Sequence, residues 1–222
     1  MLHSLKSRVH SILSQTAIGR NMLNKRFKTK HGSSAQYWEN RYQHNGTSGA
    51  GSYGELAAYK ASVINQFVKE HHINTITELG CGDGNQLALF DLPSYTGYDV
   101  SATAIKKCQT IFQNDHTKQF FLYDTVQWKN APADLSLSLD VIYHLLEENV
   151  YENYLHSLFA ASDKYVIIYS WERDDAQLQH IKYRRFTKWI EKNIHGWQLK
   201  KVIKNERPIA ACDFFIYQRT TV

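Results

Sequence analysis

The segment Ile76-Thr77-Glu78-Leu79-Gly80-Cys81-Gly82-Asp83-Gly84, followed by Tyr98-Asp99-Val100-Ser101, constrains this chain more than any other. A short apolar run ends in an acid, the chain passes through three alternate glycines, and a second apolar run ends in another acid. The order reads as strand, Gly-rich turn, helix, strand. Glycines suit a sharp strand-to-helix turn because it demands unusual φ/ψ, and because a ligand must approach the backbone without meeting a Cβ. Asp99, closing the second strand, is placed to accept hydrogen bonds from the two hydroxyls of a ribose. The segment therefore describes a nucleotide site.

With 222 residues and 43% hydrophobic content, the chain can bury one sizeable core. No apolar run approaches the roughly 20 residues of a spanning helix. Cys81, Cys108 and Cys212 are scattered without CxxC spacing, which predicts reduced thiols and a cytoplasmic setting. The histidines are dispersed as well, so no metal site is expected.

The net charge of +5 is concentrated at one end. Residues 1–38 hold Lys6, Arg8, Arg20, Lys25, Arg26, Lys28 and Lys30 and no acid; these seven of the 26 basic residues leave 19 against 21 acidic ones. The body of the chain is thus slightly acidic, which argues against nucleic acid as its partner. Leu2, Leu5, Val9, Ile12 and Leu13 recur at helical spacing, so residues 1–35 read as a basic amphipathic extension ahead of a domain over 36–222. Three readings of the extension stay open: a helix lying peripherally on an anionic membrane through residues 1–30, a helix docked on a partner or second subunit, and a loose basic tail. Residues 37–54 combine Tyr37, Trp38, Arg41 and Tyr42 with a Gly/Ser run and are expected to form a lid rather than a linker.

From Glu55 the chain alternates in period. A helix is predicted over 55–70, a strand over 74–79, a helix over 84–91 and a strand over 95–99. Ser101 then N-caps a helix over 102–113. Further strands are expected near 118–123, within 134–139, and at 165–169, where an all-apolar run implies a buried central strand. Helices are expected over 147–161 and 176–193, and two strands near 198–204 and 210–219. Alternation of this kind implies a parallel sheet with helices on both faces.

Taken together, ELGCGDG, YDVS, FLYDT and SLDVIYHL resemble the class I S-adenosylmethionine-dependent methyltransferases over roughly residues 53–219. The GxGxG spacing with an acid two residues ahead distinguishes them from dinucleotide-binding enzymes. YWENRY, GAGSYGELAAYKA and the late RRFTKWIEKN are similar to a bacterial subgroup associated with surface-polysaccharide gene clusters. The resemblance implies an α/β, Rossmann-like fold: a seven-stranded, mostly parallel sheet, helices on both faces and an antiparallel last strand. It implies S-adenosylmethionine as cofactor, S-adenosylhomocysteine as product, and no metal.

Carried onto this sequence, the resemblance assigns Glu78 to the amino group of the methionine moiety, with Gly80, Gly82, Asp83 and Gly84 allowing its close approach. Asp99 would hold the ribose and Val100 would pack on the adenine. Asp124 and Thr125 would stand near the adenine amine, Leu139 and Asp140 would lie beneath the sulfonium, and Tyr53 would lie against the cofactor as part of the lid. For a hydroxyl acceptor, His144 is the candidate base, with Asp140 beside it, since neutral imidazole takes a proton near pH 7. Tyr143, Trp171, His180 and Arg184 are candidate acceptor contacts, because acceptor loops lie at the carboxyl ends of strands. The expected reaction is methyl transfer to an oxygen of a small acceptor, a sugar or sugar-phosphate of a surface glycan. Its rivals are a nucleic-acid methyltransferase that uses the basic N-terminus and a non-catalytic cofactor-binding partner or regulator.

Overall fold

The computed structural model describes residue 22 and residues 32–123, 132–174, 180–206 and 212–220. Residues 1–31 of the basic extension, apart from Met22, and the pair Asp124 and Thr125 lie outside the described residues. Among the residues from 32 on, two helices precede the sheet: α1 (Ser34–Gln43) and α2 (Gly54–Glu70). Then come β1 (Ile76–Leu79), β2 (Tyr95–Asp99), α3 (Ala102–Ile111), β3 (Lys118–Leu122), β4 (Ala133–Leu139), α4 (Glu148–Ala160), β5 (Ser162–Ser170), α5 (Phe186–Asn193), β6 (Trp197–Ile203) and β7 (Asp213–Arg219).

Among these residues, seven strands form one sheet in the order β3-β2-β1-β4-β5-β7-β6. The pairings through β5 are parallel, and β7 runs against both of its neighbours. The expected fold class is therefore the observed one. Chain order reverses direction between β1 and β4, so the connections leaving these strands diverge and open a crevice at their carboxyl ends.

The pleat of β5 explains how both faces are covered. Ile167 and Tyr169 join the layer beneath α2 and α3 with Ile64, Phe67, Ile105 and Leu137. Val166 and Ile168 face the other way, into Tyr154, Leu155, Leu158 and Phe159 of α4 and Phe186 and Ile190 of α5. Each fully buried Leu or Ile in these layers contributes about 1.5–3 kcal/mol.

Ser101 caps α3 as expected, its hydroxyl accepting from Ala104 N at 3.0 Å. Two local expectations are corrected. Over 84–91 there is only a 3-10 turn at Leu87–Leu89, since Gly84 and Pro93 bracket a segment too short for a helix and the Asn85 and Gln86 side chains turn to Ser52 O and Ala57 O. Of the helix expected over 176–193, residues 176–179 lie outside the described residues, 180–185 are not helical and the helix runs Phe186–Asn193. Lys182 N donates to Tyr143 O at 2.8 Å and Arg185 N to Asp174 Oδ1 at 2.9 Å, so tertiary partners take backbone groups that a helix would use. The first part of the expected lid is the helix α1, closed at its start by a capping box between Ser33 and Gln36. No helix among the described residues is long and apolar enough to cross a membrane.

Candidate active site in the crevice between β1 and β4

The glycine turn after β1 is pinned to β2: Gly80 N and Cys81 N donate to Tyr98 O at 2.7 and 3.0 Å. Gly80 and Gly82 have φ of +89° and +60°. A Cβ on Gly80 would run into Val141, and one on Gly82 into Ser48 Oγ. Backbone conformation and space both require glycine at these two positions.

Above the turn lies a cavity of about 270 Å3. Among the described residues, four charged side chains line it: Glu78, Asp99, Asp140 and Lys60. Glu78 is buried at the end of β1 and accepts from Tyr95 OH at 2.5 Å. Burial pushes its carboxyl up to about 7, against the pull of Tyr95 and Lys60. Asp99 accepts from Gly82 N and Ser101 N, each at 2.9 Å, tying the glycine turn to the start of α3. Burial outweighs those two donors and lifts it to about 6. Asp140 follows β4 with φ +62°, a left-handed conformation that Asp tolerates better than most residues. Its carboxylate accepts from Lys60 Nζ at 2.6 Å and from Tyr143 OH at 2.8 Å.

α1 and the Gly/Ser loop roof the cavity, and polar contacts hold them down. Glu39 accepts from Ser101 Oγ and Thr103 Oγ1, both at 2.6 Å. Ser34 donates through N and Oγ to Glu147 at 2.9 and 2.5 Å. Ser48 N and Oγ donate to Asp83 at 2.9 and 2.8 Å, and Tyr53 OH reaches the same carboxylate at 2.8 Å. Burial raises Asp83, but these donors more than compensate and hold it below the usual carboxylate range.

Ring contacts complete the roof. Tyr37 stacks on His180 at 5.7 Å, His180 stacks on His144 at 5.5 Å, and Trp38 meets His144 edge-on at 5.0 Å. His144 Nδ1 lies 2.9 Å from His180 O; a carbonyl only accepts, so Nδ1 carries the hydrogen and Nε2 the lone pair. Burial drives the imidazole down to about 4, so it is neutral at physiological pH.

Of the residues singled out from sequence, Glu78, Gly80, Gly82, Asp99, Val100, Leu139, Asp140 and His144 line this one cavity. Asp83 and Gly84 stand behind it and, with Tyr53, line a shallower outer groove. Tyr53 secures the loop through Asp83 rather than lying in the cavity. Tyr143 supports Asp140 from outside. His180 acts through its carbonyl and ring. Trp171 holds Arg173, whose guanidinium carbon lies 4.4 Å from its ring centroid, and Arg184 lies over Tyr151 and pairs with Glu148. None of these last four residues is part of the cavity wall.

Sequence reasoning did not identify Lys60 or Gln86 as site residues, nor Asn149, Asn153 and Tyr154 of α4. Lys60 carried a signal: it sits within the apolar stripe Ala57, Ala61, Ile64 and Val68 of α2, where a lysine demands a buried partner. Gln86 and the two asparagines carried none, being ordinary polar residues at ordinary positions. No cluster of metal-ligating side chains occurs among the described residues.

No protein-family model matches the sequence, and no curated protein matches it. Solved structures do. NodS, an N-methyltransferase from Bradyrhizobium japonicum WM9 in complex with S-adenosyl-L-homocysteine, is similar at a TM-score of 0.65 and 13% identity, covering 84% of this chain and 98% of its own. Magnesium protoporphyrin IX methyltransferase (ChlM) from Synechocystis PCC 6803 with bound SAH gives 0.64 at 13%, over 84% of this chain and 98% of that one. The methyltransferase domain of bacterial CtHen1-C gives 0.62 at 19%, over 75% of this chain and 100% of that one. These likenesses identify the architecture: the chain has the Rossmann-like fold of these methyltransferases.

Proposed function

We propose that the protein is an S-adenosylmethionine-dependent methyltransferase that methylates an oxygen of a small, uncharged, polyhydroxylated acceptor, a sugar of a surface glycan. One observation carries the cofactor reading: a glycine-turn cavity lined by two buried carboxylates, the partly exposed Asp140 and, among the described residues, a single lysine. Such a surplus of negative charge suits a ligand that is itself cationic, and S-adenosylmethionine carries a sulfonium and an ammonium against one carboxylate. The cradle fits it in its polar groups: Gln86 Oε1, buried in the cavity wall, has no donor among the described residues.

When bound, the cofactor supplies an activated methyl group on sulfur. Asp99 stands at the end of β2, where a ribose would be held, and Glu78 at the end of β1 offers a carboxylate to an ammonium. Lys60 supplies positive charge for the ligand's carboxylate while neutralising Asp140. Trp38 and the roof helix α1 exclude water, so an acceptor oxygen is oriented rather than outcompeted. His144 offers the Nε2 lone pair. An imidazole driven to about 4 is a poor base toward an alcohol, but a freshly methylated oxygen is a far stronger acid than its imidazolium. His144 therefore accepts the proton late, as the new O–C bond forms.

The lining supports an uncharged acceptor. Among the described residues, Lys60 is the only cationic side chain in the cavity wall, and it is bound to Asp140. Trp38, His144 and the amides of α4 suit a hydroxylated ring instead. Labelled cofactor offered with nucleotide sugars, neutral glycan fragments and RNA tests this assignment. Label should enter neutral glycan fragments; incorporation into RNA alone would replace this acceptor class with nucleic acid.

A further inference from the structure

Gln86 lies immediately after the glycine turn and is 6% exposed. Its Nε2 donates to Ala57 O in α2 at 3.0 Å, which fixes the amide: turning it over would set oxygen against oxygen. Oε1 is thereby directed away from α2, and among the described residues no group donates to it. Gln86 lines the cavity together with Glu78, Lys60 and Gly80. A buried acceptor without a donor is unfavourable, and within a ligand cavity the ligand is the natural source of one.

We infer that Gln86 Oε1 accepts a hydrogen bond from the α-ammonium of the cofactor's amino-acid end, sharing that ammonium with Glu78 while Lys60 faces the α-carboxylate. The inference rests on the cofactor reading above and adds the residue that makes the site require an amino acid. Two features of one wall support it. Glu78 and Lys60 have opposite charge and lie close enough for the lysine to draw the carboxyl toward ionisation. An α-amino acid carries that same pair of charges on one carbon. The second is a neutral acceptor for the remaining ammonium hydrogens, Gln86 Oε1, buried and without a donor among the described residues, while Glu78 Oε2 already takes Tyr95 OH.

The test compares two nucleoside thioethers by calorimetry. S-adenosylhomocysteine has the amino-acid end, and 5′-methylthioadenosine lacks it. Gln86→Met, similar in length and apolar, should weaken S-adenosylhomocysteine about tenfold or more and leave 5′-methylthioadenosine within about twofold of wild type. An S-adenosylhomocysteine analogue without the α-amino group should bind wild type and Gln86→Met within about twofold of each other. Wild-type affinity of Gln86→Met for S-adenosylhomocysteine would overturn the inference, as would equal weakening of both ligands, which marks a structural role. Failure of wild type to bind S-adenosylhomocysteine at all would overturn the cofactor reading and this inference together.

Discussion

Lys60 Nζ lies 2.6 Å from Asp140 Oδ2, joining a helix ahead of the sheet to the residue that ends its central strand β4. The lysine side chain is fully buried and the aspartate 16% exposed. Tyr143 OH takes the other carboxylate oxygen, and Lys60 also faces the Tyr169 ring at 5.3 Å. The pair fixes Asp140 in its left-handed conformation at the edge of the cavity and sets how much uncompensated negative charge remains there.

Removing the lysine therefore strands a carboxylate. Lys60→Met should cost about 3 kcal/mol of stability in urea denaturation, because breaking one partner of a buried pair leaves the other unpaired. Lys60→Met combined with Asp140→Asn should recover part of that loss. A single variant as stable as wild type would contradict the role assigned to the pair.

Glu78 gives the protein a pH signature. Its carboxyl titrates at about 7 in the fold against 4.5 ordinarily, so the protonated form is the one the empty fold favours. Its contribution to stability is complete below pH 4.5 and is lost as the pH rises through about 7; the total is roughly 3 kcal/mol. Denaturation midpoints of the ligand-free protein should fall over that window, and Glu78→Gln should flatten the fall. Affinity for a cationic cofactor should move the opposite way, rising from pH 6 to 8 with proton release on binding. Calorimetry in buffers of different ionisation enthalpy reads that release, and a pH-independent affinity would remove the Glu78–ammonium contact.

His144→Ala should lower turnover by about 100-fold, the usual scale for a positioned proton acceptor, with S-adenosylhomocysteine affinity within a few-fold of wild type. Because burial holds the imidazole near 4, the wild-type rate should show no inflection near pH 6.5 from this residue. Unchanged turnover in the alanine variant would rule out His144 as the proton acceptor.

The fold was legible because its signals were periodic and local. The β-branched run ahead of Glu78, the alternate glycines, Asp99 and the Ser101 cap each act within a few residues of themselves. The errors fall where distant partners decide. The expected helix over 84–91 gives way to side-chain bonds from Asn85 and Gln86 across to Ser52 and Ala57. Over 180–185 the expected helix gives way to bonds from Lys182 and Arg185 to Tyr143 and Asp174. The same division applies to the site. Glu78, Asp99, Asp140 and His144 stand at strand ends and follow from spacing, whereas Lys60 and Gln86 acquire their positions only when α2 packs across the mouth of the sheet. Trp171 and Arg184 are of chemical types that suit an acceptor site, yet packing spends them on Arg173, Tyr151 and Glu148.

The central claim is that this cavity binds S-adenosylmethionine and its product, and titrating the full-length protein with S-adenosylhomocysteine in a calorimeter tests it most directly. One site per chain should saturate, and Asp99→Asn, which keeps the shape of the side chain but removes its charge, should weaken binding about tenfold or more. No measurable binding by wild type, or equal affinity in Asp99→Asn, would contradict the account.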